Sequence, residues 1–196
     1  MLMGLSAAPA TTDACTLLGH GGRIARRLPD VFAIWGRRRV DPRLREEVML
    51  AVAQANACRW CTLAHRQWAL AEGVTDAQLA ALENQDPGQF DRRTWAAVAW
   101  ADARARADLG PVPAEFEEEL ARHYSPAERD DLDLVAAMMT IANRSANTFD
   151  ALLARLRGRP VPGSRLLDEL LIGSGVALSI PPVAAYLALT RHRAAA

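Results

Sequence analysis

The stretch DPRLREEVMLAVAQANACRWCTLAHRQWALAEG, residues 41–73, decides the fold. Its opening pair, Asp41-Pro42, predicts a helix start, because aspartate caps a helix N-terminus and proline suits the first helical position. The next apolar residues share one helical face: Leu44, Val48, Ala51 and Val52. The stretch therefore predicts an amphipathic helix leading into a cysteine-containing segment.

A second helix is predicted over residues 57–72, with Asn56 as its N-cap and Gly73 as its C-cap. Cys58 and Cys61 fall in its first turn, on one face, with Cβ atoms about 5–6 Å apart. Free backbone N–H groups and the helix dipole favour a thiolate over a thiol at that place. The pair is therefore expected to carry redox chemistry.

An imidazole and a carboxylate complete the pattern. His65 lies one turn after Cys61 on the same face, so it can take or return the thiol proton. On one straight helix Glu46 would lie about 28 Å from His65 and could not act with it. We expect the chain to bend at residues 54–56, so that the carboxylate can orient the imidazole.

Composition narrows the class of protein. The formal net charge is +0 and no long basic run is present, so we expect no nucleic-acid partner. The 23 Lys and Arg positions are all arginine, which excludes a Schiff-base mechanism through lysine.

Three cysteines are too few for a disulfide-stapled secreted scaffold, and Cys15 is expected to be incidental. The first ten residues lack the pattern of a signal peptide, so we expect a cytoplasmic protein.

The periodicity and punctuation predict an all-α chain in three parts. Residues 1–20 are expected to form a loose arm, residues 21–160 a helical domain, and residues 161–196 an apolar helical extension. Within the domain we expect a helix over 22–38, interrupted near its proline, and capping boxes that start at Thr75 and Ser125.

The segment Leu170 to Thr190 contains 21 residues without a charged side chain. That length is sufficient to span a bilayer, which needs about 20 apolar residues. Pro181-Pro182 interrupts the segment, so we expect two short helices packed on the core or on a partner subunit.

A faint internal repeat relates EEVMLAVAQANACRWC, residues 46–61, to DLVAAMMTIANRSANT, residues 133–148. When Asn56 is laid on Asn143, Cys58 falls on Ser145. The second copy has no thiol, so any thiol site lies in the first copy. Chance likeness between alanine-rich helices is the alternative.

The spacing E-x11-C-x2-C-x3-H, from Glu46 to His65, resembles the core of the AhpD-like alkylhydroperoxidases of the carboxymuconolactone decarboxylase family. GVTDAQLAAL, residues 73–82, is similar to the segment downstream of the motif in that family, and a weaker likeness extends to about residue 156. The resemblance implies an all-α, AhpD-like helical bundle that assembles into trimers, hexamers or dimers.

The resemblance also implies a peroxidase that reduces small organic hydroperoxides or hydrogen peroxide without a metal or organic cofactor. Cys61 would be the peroxidatic thiolate and Cys58 the resolving thiol, with Glu46 and His65 as a proton relay. A lipoyl domain or a thioredoxin-like protein would supply the reducing dithiol. Trp60 stands where relatives often carry Tyr or His, and we expect it to wall an apolar substrate pocket.

Other interpretations remain at this point. The same cysteines suit a general dithiol–disulfide oxidoreductase or a redox sensor with little peroxidase activity. A zinc site built on Cys58, Cys61 and His65 would need a fourth ligand, and the sequence offers no second CxxC or HxxxH pair. The apolar extension also suits a non-enzymatic role in membrane association or oligomerisation.

Overall fold

The computed structural model describes residues 9–194, and within that range the chain is helical and contains no strand. The described α-helices are α1 (Ala14–Ala25), α2 (Leu28–Gly36), α3 (Pro42–Ala55), α4 (Arg59–Ala71), α5 (Asp76–Asn84), α6 (Arg92–Arg106), α7 (Ala114–His123), α8 (Pro126–Leu156) and α9 (Leu166–Ala194). A short 3₁₀ helix, Pro87–Gln89, joins α5 to α6. The all-α prediction is confirmed for the described residues.

Helix α3 is the central element of the fold. It packs against α4, α6 and α8, and residues 45–53 are all buried. The sequence predicted that α3 would bury a single apolar face. The buried surface is wider than that, because neighbouring helices cover the other faces as well. Three of the buried side chains are charged: Arg45, Glu46 and Glu47.

Side-chain caps begin several helices where the sequence predicted them. Asp41 accepts a hydrogen bond from the Leu44 N–H at 3.0 Å at the start of α3. The capping boxes of Thr75 and Ser125 are both complete, and they begin α5 and α8. Local sequence therefore determines these starts, because each cap satisfies backbone donors that the helix itself cannot.

The prediction of a loose arm over residues 1–20 is wrong for residues 14–20, which lie in α1. Long-range hydrogen bonds hold this region, from the Thr12 N–H to Thr148 Oγ1 and from the Ala14 N–H to Asp168 Oδ1, both at 3.0 Å. Residues 1–8 of that prediction lie outside the described part of the chain. The helix predicted over 22–38 is divided between α1 and α2.

Helix α9 is one helix, so the prediction of two short helices is wrong. Pro181 and Pro182 lie inside it. Each proline removes a backbone donor, which weakens a helix without always ending it. The helix packs on α8 and α4. Near its start, Arg155 of α8 donates two hydrogen bonds, of 2.6 and 2.9 Å, to the fully buried Glu169.

Candidate functional site

The corner between α3 and α4 brings the predicted site residues together. Asn56 ends α3, and Ala57 adopts a left-handed conformation with φ 51°. The Cys58 N–H then bonds Ala53 O at 2.9 Å and the Ala57 N–H bonds Gln54 O at 3.0 Å. These two bonds form a Schellman motif, which closes a helix and turns the chain. The bend predicted at residues 54–56 is confirmed.

Asparagines of α8 support this corner from outside it. Asn143 Nδ2 donates to Val52 O at 3.1 Å, and Asn147 Nδ2 donates to Asn56 O at 2.9 Å. Both asparagines are buried, with exposed fractions of 0% and 2%. The end of α3 therefore depends on hydrogen bonds from a helix that is distant in sequence.

Cys58 and Cys61 form a disulfide at the start of α4, with Cα atoms 5.4 Å apart. Cys58, and not the predicted Asn56, is the N-cap of α4, and its sulfur accepts from the Cys61 N–H at 3.4 Å. Asn56 lies too early to cap α4, which begins at Arg59, and its side-chain amide donates to Val52 O at 3.0 Å. Cys58 is fully buried and Cys61 is partly exposed, so Cys61 is the sulfur more open to solvent.

Glu46 and His65 meet across the corner. Glu46 Oε2 lies 2.7 Å from His65 Nδ1, and both side chains are buried. With the glutamate ionised, the Nδ1–H donates to the carboxylate, so Nε2 is left as the basic nitrogen of the ring. The predicted contact between these residues is present, and their role in a relay stays a prediction.

Arg45 is a member of the site that sequence reasoning missed. Its Nε and Nη2 atoms lie 3.3 and 3.2 Å from Glu46 Oε1, and its guanidinium lies 5.5 Å from the centre of the Trp35 ring. Successive residues of a helix do not normally face each other, so spacing offered no signal for this pair. The contact follows from the Arg45 side-chain conformation beside a tryptophan of α2.

Glu47 is also buried, with an exposed fraction of 2%. Burial raises the pKa of its carboxyl group, and the hydrogen bond from Arg43 Nε at 3.3 Å opposes that rise. Glu47 contacts neither His65 nor the cysteines through any described hydrogen bond. Its neighbour Glu46 is therefore the carboxylate that the corner directs toward the imidazole.

An aromatic chain connects the site to α9. The ring centres of His65 and Trp68 are 4.8 Å apart, edge to face, and those of Trp68 and Tyr186 are 5.5 Å apart. Tyr186 belongs to α9. The C-terminal helix thus reaches the surroundings of the imidazole.

Trp60 is 47% exposed. Its indole N–H donates to Asp150 Oδ1 at 2.9 Å, and the Arg59 guanidinium stacks on its ring. Two polar clefts, of about 480 and 250 Å³, lie elsewhere and are not lined by Trp60 or the cysteines. The pocket role of Trp60 stays a prediction. Cys15 is exposed and outside the disulfide.

A comparison with known protein families gives a match to the segment that contains this corner. Residues 31–103, from α2 through most of α6, match the model of the carboxymuconolactone decarboxylase family, which includes the AhpD-like proteins. The predicted family resemblance is confirmed for that segment, which contains all four predicted catalytic residues. No curated protein matches the chain.

Proposed function

We propose that this chain, whose residues 31–103 match the model of the carboxymuconolactone decarboxylase family, is a thiol-dependent peroxidase that acts through Cys58 and Cys61. The observation that carries the proposal is the 2.7 Å contact between Glu46 and His65, made at the corner that also holds the cysteine pair. A buried acid–base pair one helical turn from a thiol is the arrangement that activates a nucleophile.

Cys61 is the attacking residue in this proposal, since it is the more exposed sulfur and lies in the first turn of α4. His65 takes the thiol proton, and the thiolate attacks one oxygen of the hydroperoxide. An S–O bond forms, the O–O bond breaks, and the leaving alkoxide takes a proton from His65. The peroxide is reduced to an alcohol, and Cys61 is oxidised to a sulfenic acid.

Cys58 resolves that intermediate. Its sulfur attacks the Cys61 sulfenic acid, an S–S bond forms, and the hydroxyl group leaves as water with the Cys58 proton. An external dithiol, a lipoyl domain or a thioredoxin-like protein, then reduces the disulfide by exchange. The cycle uses no metal and no organic cofactor, and the proposal places it in the cytoplasm, where such reductants act.

Steady-state kinetics test the proposal. Purified protein is assayed with cumene hydroperoxide and dihydrolipoamide, and we expect turnover by the wild type and by Cys15→Ser. Cys61→Ser is expected to be inactive, and Cys58→Ser to complete only one turnover. Absence of turnover by the wild type, or full turnover by Cys61→Ser, would reject the peroxidase.

The same disulfide also supports a second candidate, a general dithiol–disulfide oxidoreductase or redox sensor. Mass spectrometry of Cys58→Ser after brief exposure to peroxide separates the two. A dimedone adduct on Cys61 supports peroxide chemistry, because dimedone reacts with sulfenic acids. Rapid disulfide exchange by the wild type, without an adduct in the variant, supports the oxidoreductase.

We also propose that α9 joins copies of the chain into a homo-oligomer. Residues Leu166–Tyr186 of α9 form a stretch of 21 residues that is long and apolar enough to cross a membrane, and 17% of its most apolar part is buried. Its large exposed apolar side chains include Leu167, Leu171, Leu178 and Tyr186. Against bilayer insertion, Glu169 is buried in the protein and forms an ion pair with Arg155 of α8, which insertion of this helix would break.

Light scattering of the full chain measures the assembly, which the family resemblance implies to be a dimer, trimer or hexamer. Leu178→Glu, in the exposed face, is expected to reduce the measured mass to that of one chain. Flotation with liposomes is the complementary measurement. A monomeric wild type that floats with liposomes would favour the membrane role over the oligomer.

A further inference from the structure

We propose that Arg45 is a positioning residue of the site, which holds Glu46 as an anion and thereby fixes the proton of His65 on Nδ1. The proposal rests on the proposed function only for its consequence in peroxide turnover. The arrangement itself concerns the charge and proton positions of three buried side chains.

The geometry gives each oxygen of the Glu46 carboxylate its own partner. Oε1 accepts hydrogen bonds from Arg45 Nε and Nη2, and Oε2 is the hydrogen-bond partner of His65 Nδ1. The three side chains are almost fully enclosed, with exposed fractions of 11% for Arg45, 6% for Glu46 and 10% for His65. Trp35, whose ring faces the guanidinium, further encloses the pair.

Burial of the Glu46 carboxylate makes a neighbouring cation, the Arg45 guanidinium, necessary. A buried carboxylate without a charged partner is unfavourable and tends to bind a proton. A protonated Glu46 would donate its O–H to Nδ1, and the ring proton would then lie on Nε2. A ring in that tautomer is unable to accept a proton from Cys61. A positive charge beside Oε1 therefore determines which nitrogen of the ring is basic.

Helix α3 offers a matched control in a second arginine–glutamate pair. Arg43 Nε lies 3.3 Å from Oε1 of the buried Glu47, one residue along the same helix. This pair has no described contact with His65. Removing either arginine leaves a buried glutamate without its cation, so only an effect specific to Arg45 supports the proposal.

The first measurement is the tautomer of His65 by ¹⁵N NMR of the full chain. We expect the wild type to carry its proton on Nδ1, and Arg45→Met to shift the signals toward the Nε2–H form. Arg45→Lys retains a charge and is expected to keep the wild-type tautomer. A wild-type ring protonated only on Nε2 would overturn the proposal whether or not any variant folds.

The second measurement is the rate at which reduced Cys61 is alkylated as pH varies, in a Cys15→Ser background, with the labelled peptide identified by mass spectrometry. For Arg45→Met we expect a rate at pH 7 lower by about tenfold or more, with the profile moved to higher pH. Arg45→Lys is expected to recover part of the rate, and Arg43→Met to follow the Cys15→Ser parent.

Equal tautomers and equal pH profiles in Arg45→Met and its parent would overturn the proposal, as would an equal change in Arg43→Met. Neither measurement uses peroxide. A protein that fails to turn over hydroperoxides but shows the Arg45-dependent tautomer therefore rejects the peroxidase and supports the positioning role.

Discussion

Two similar segments of this chain adopt different backbones. Residues 46–61 end one helix, turn and begin another, whereas residues 133–148 lie within the single long helix α8. Their matched acidic residues also differ, since Glu46 is buried against His65, while the side chain of Asp133 is 40% exposed and pairs with Arg104. Similar apolar patterns thus specify similar burial without specifying where a helix ends.

The two segments also depend on each other. Asn143 and Asn147 of the continuous helix donate to the carbonyl groups at the end of α3. The continuous helix α8 thereby stabilises the turn that interrupts residues 46–61. The comparison shows that the corner is a tertiary feature, built by one segment and held by its counterpart.

The largest expected effect comes from removing the Cys61 thiol, because thiols distinguish the first segment from the second. Cys61→Ser gives the first segment a hydroxyl group, as Thr148 does at the matched position of the second. We expect peroxide turnover to fall by at least about 10³-fold, because a hydroxyl group is a far weaker nucleophile than a thiolate. Steady-state assays measure the loss, and wild-type rates in this variant would contradict it.

The next effect concerns the support that α8 gives to the corner. Asn143→Ala removes a buried hydrogen bond and leaves a small cavity, so we expect the free energy of unfolding to fall by about 2 kcal/mol. Asn84→Ala is the control, since its exposed side chain makes the same kind of bond to Ala80 O. For Asn84→Ala, urea titration should show a change in the free energy of unfolding within about 0.5 kcal/mol.

A smaller effect is expected at the turn itself. Ala57 has φ 51°, whereas the Schellman end of α4 uses Gly73 at φ 86°. Ala57→Gly relieves left-handed strain and should stabilise the chain by up to about 1 kcal/mol, while Gly73→Ala should destabilise it by about 1 kcal/mol. Thermal unfolding of both variants checks the signs, and a large loss in Ala57→Gly would contradict this account.

The smallest effect separates the two neighbouring glutamates of the first segment. Burial raises the folded-state pKa of Glu47 above its unfolded value of 4.5, so protonation favours folding. That contribution is complete below pH 4.5 and is lost as pH rises through the folded-state pKa. Glu47→Gln should therefore gain stability relative to wild type between pH 4 and pH 7, measured by urea titration. A gain that is the same at both pH values would contradict the assignment.

Local rules in the sequence predicted much of this structure. The caps at Asp41, Thr75 and Ser125 were predicted because each needs only neighbouring residues. The bend before Cys58 was predicted from a functional requirement, that Glu46 should reach the imidazole. The Schellman bonds that make the bend were not, since alanine at a left-handed position gives no signal.

The remaining features depend on tertiary contacts. The contact of Arg45 with Glu46 depends on a side-chain conformation and on Trp35 from another helix. Glu47 is buried because helices surround α3 on all faces. Helix α9 continues through its prolines, which composition alone predicted as an interruption.

Trp68 lies between the imidazole of His65 and the phenol of Tyr186, and this position makes it a natural optical reporter. Indole emission responds to a cation at its ring and to neighbouring aromatic groups. In a protein whose other four tryptophans are replaced by phenylalanine, one fluorescence signal would follow both proton uptake at the imidazole and detachment of the C-terminal helix. Stopped-flow mixing with peroxide would then time the proton uptake at the imidazole within a single turnover.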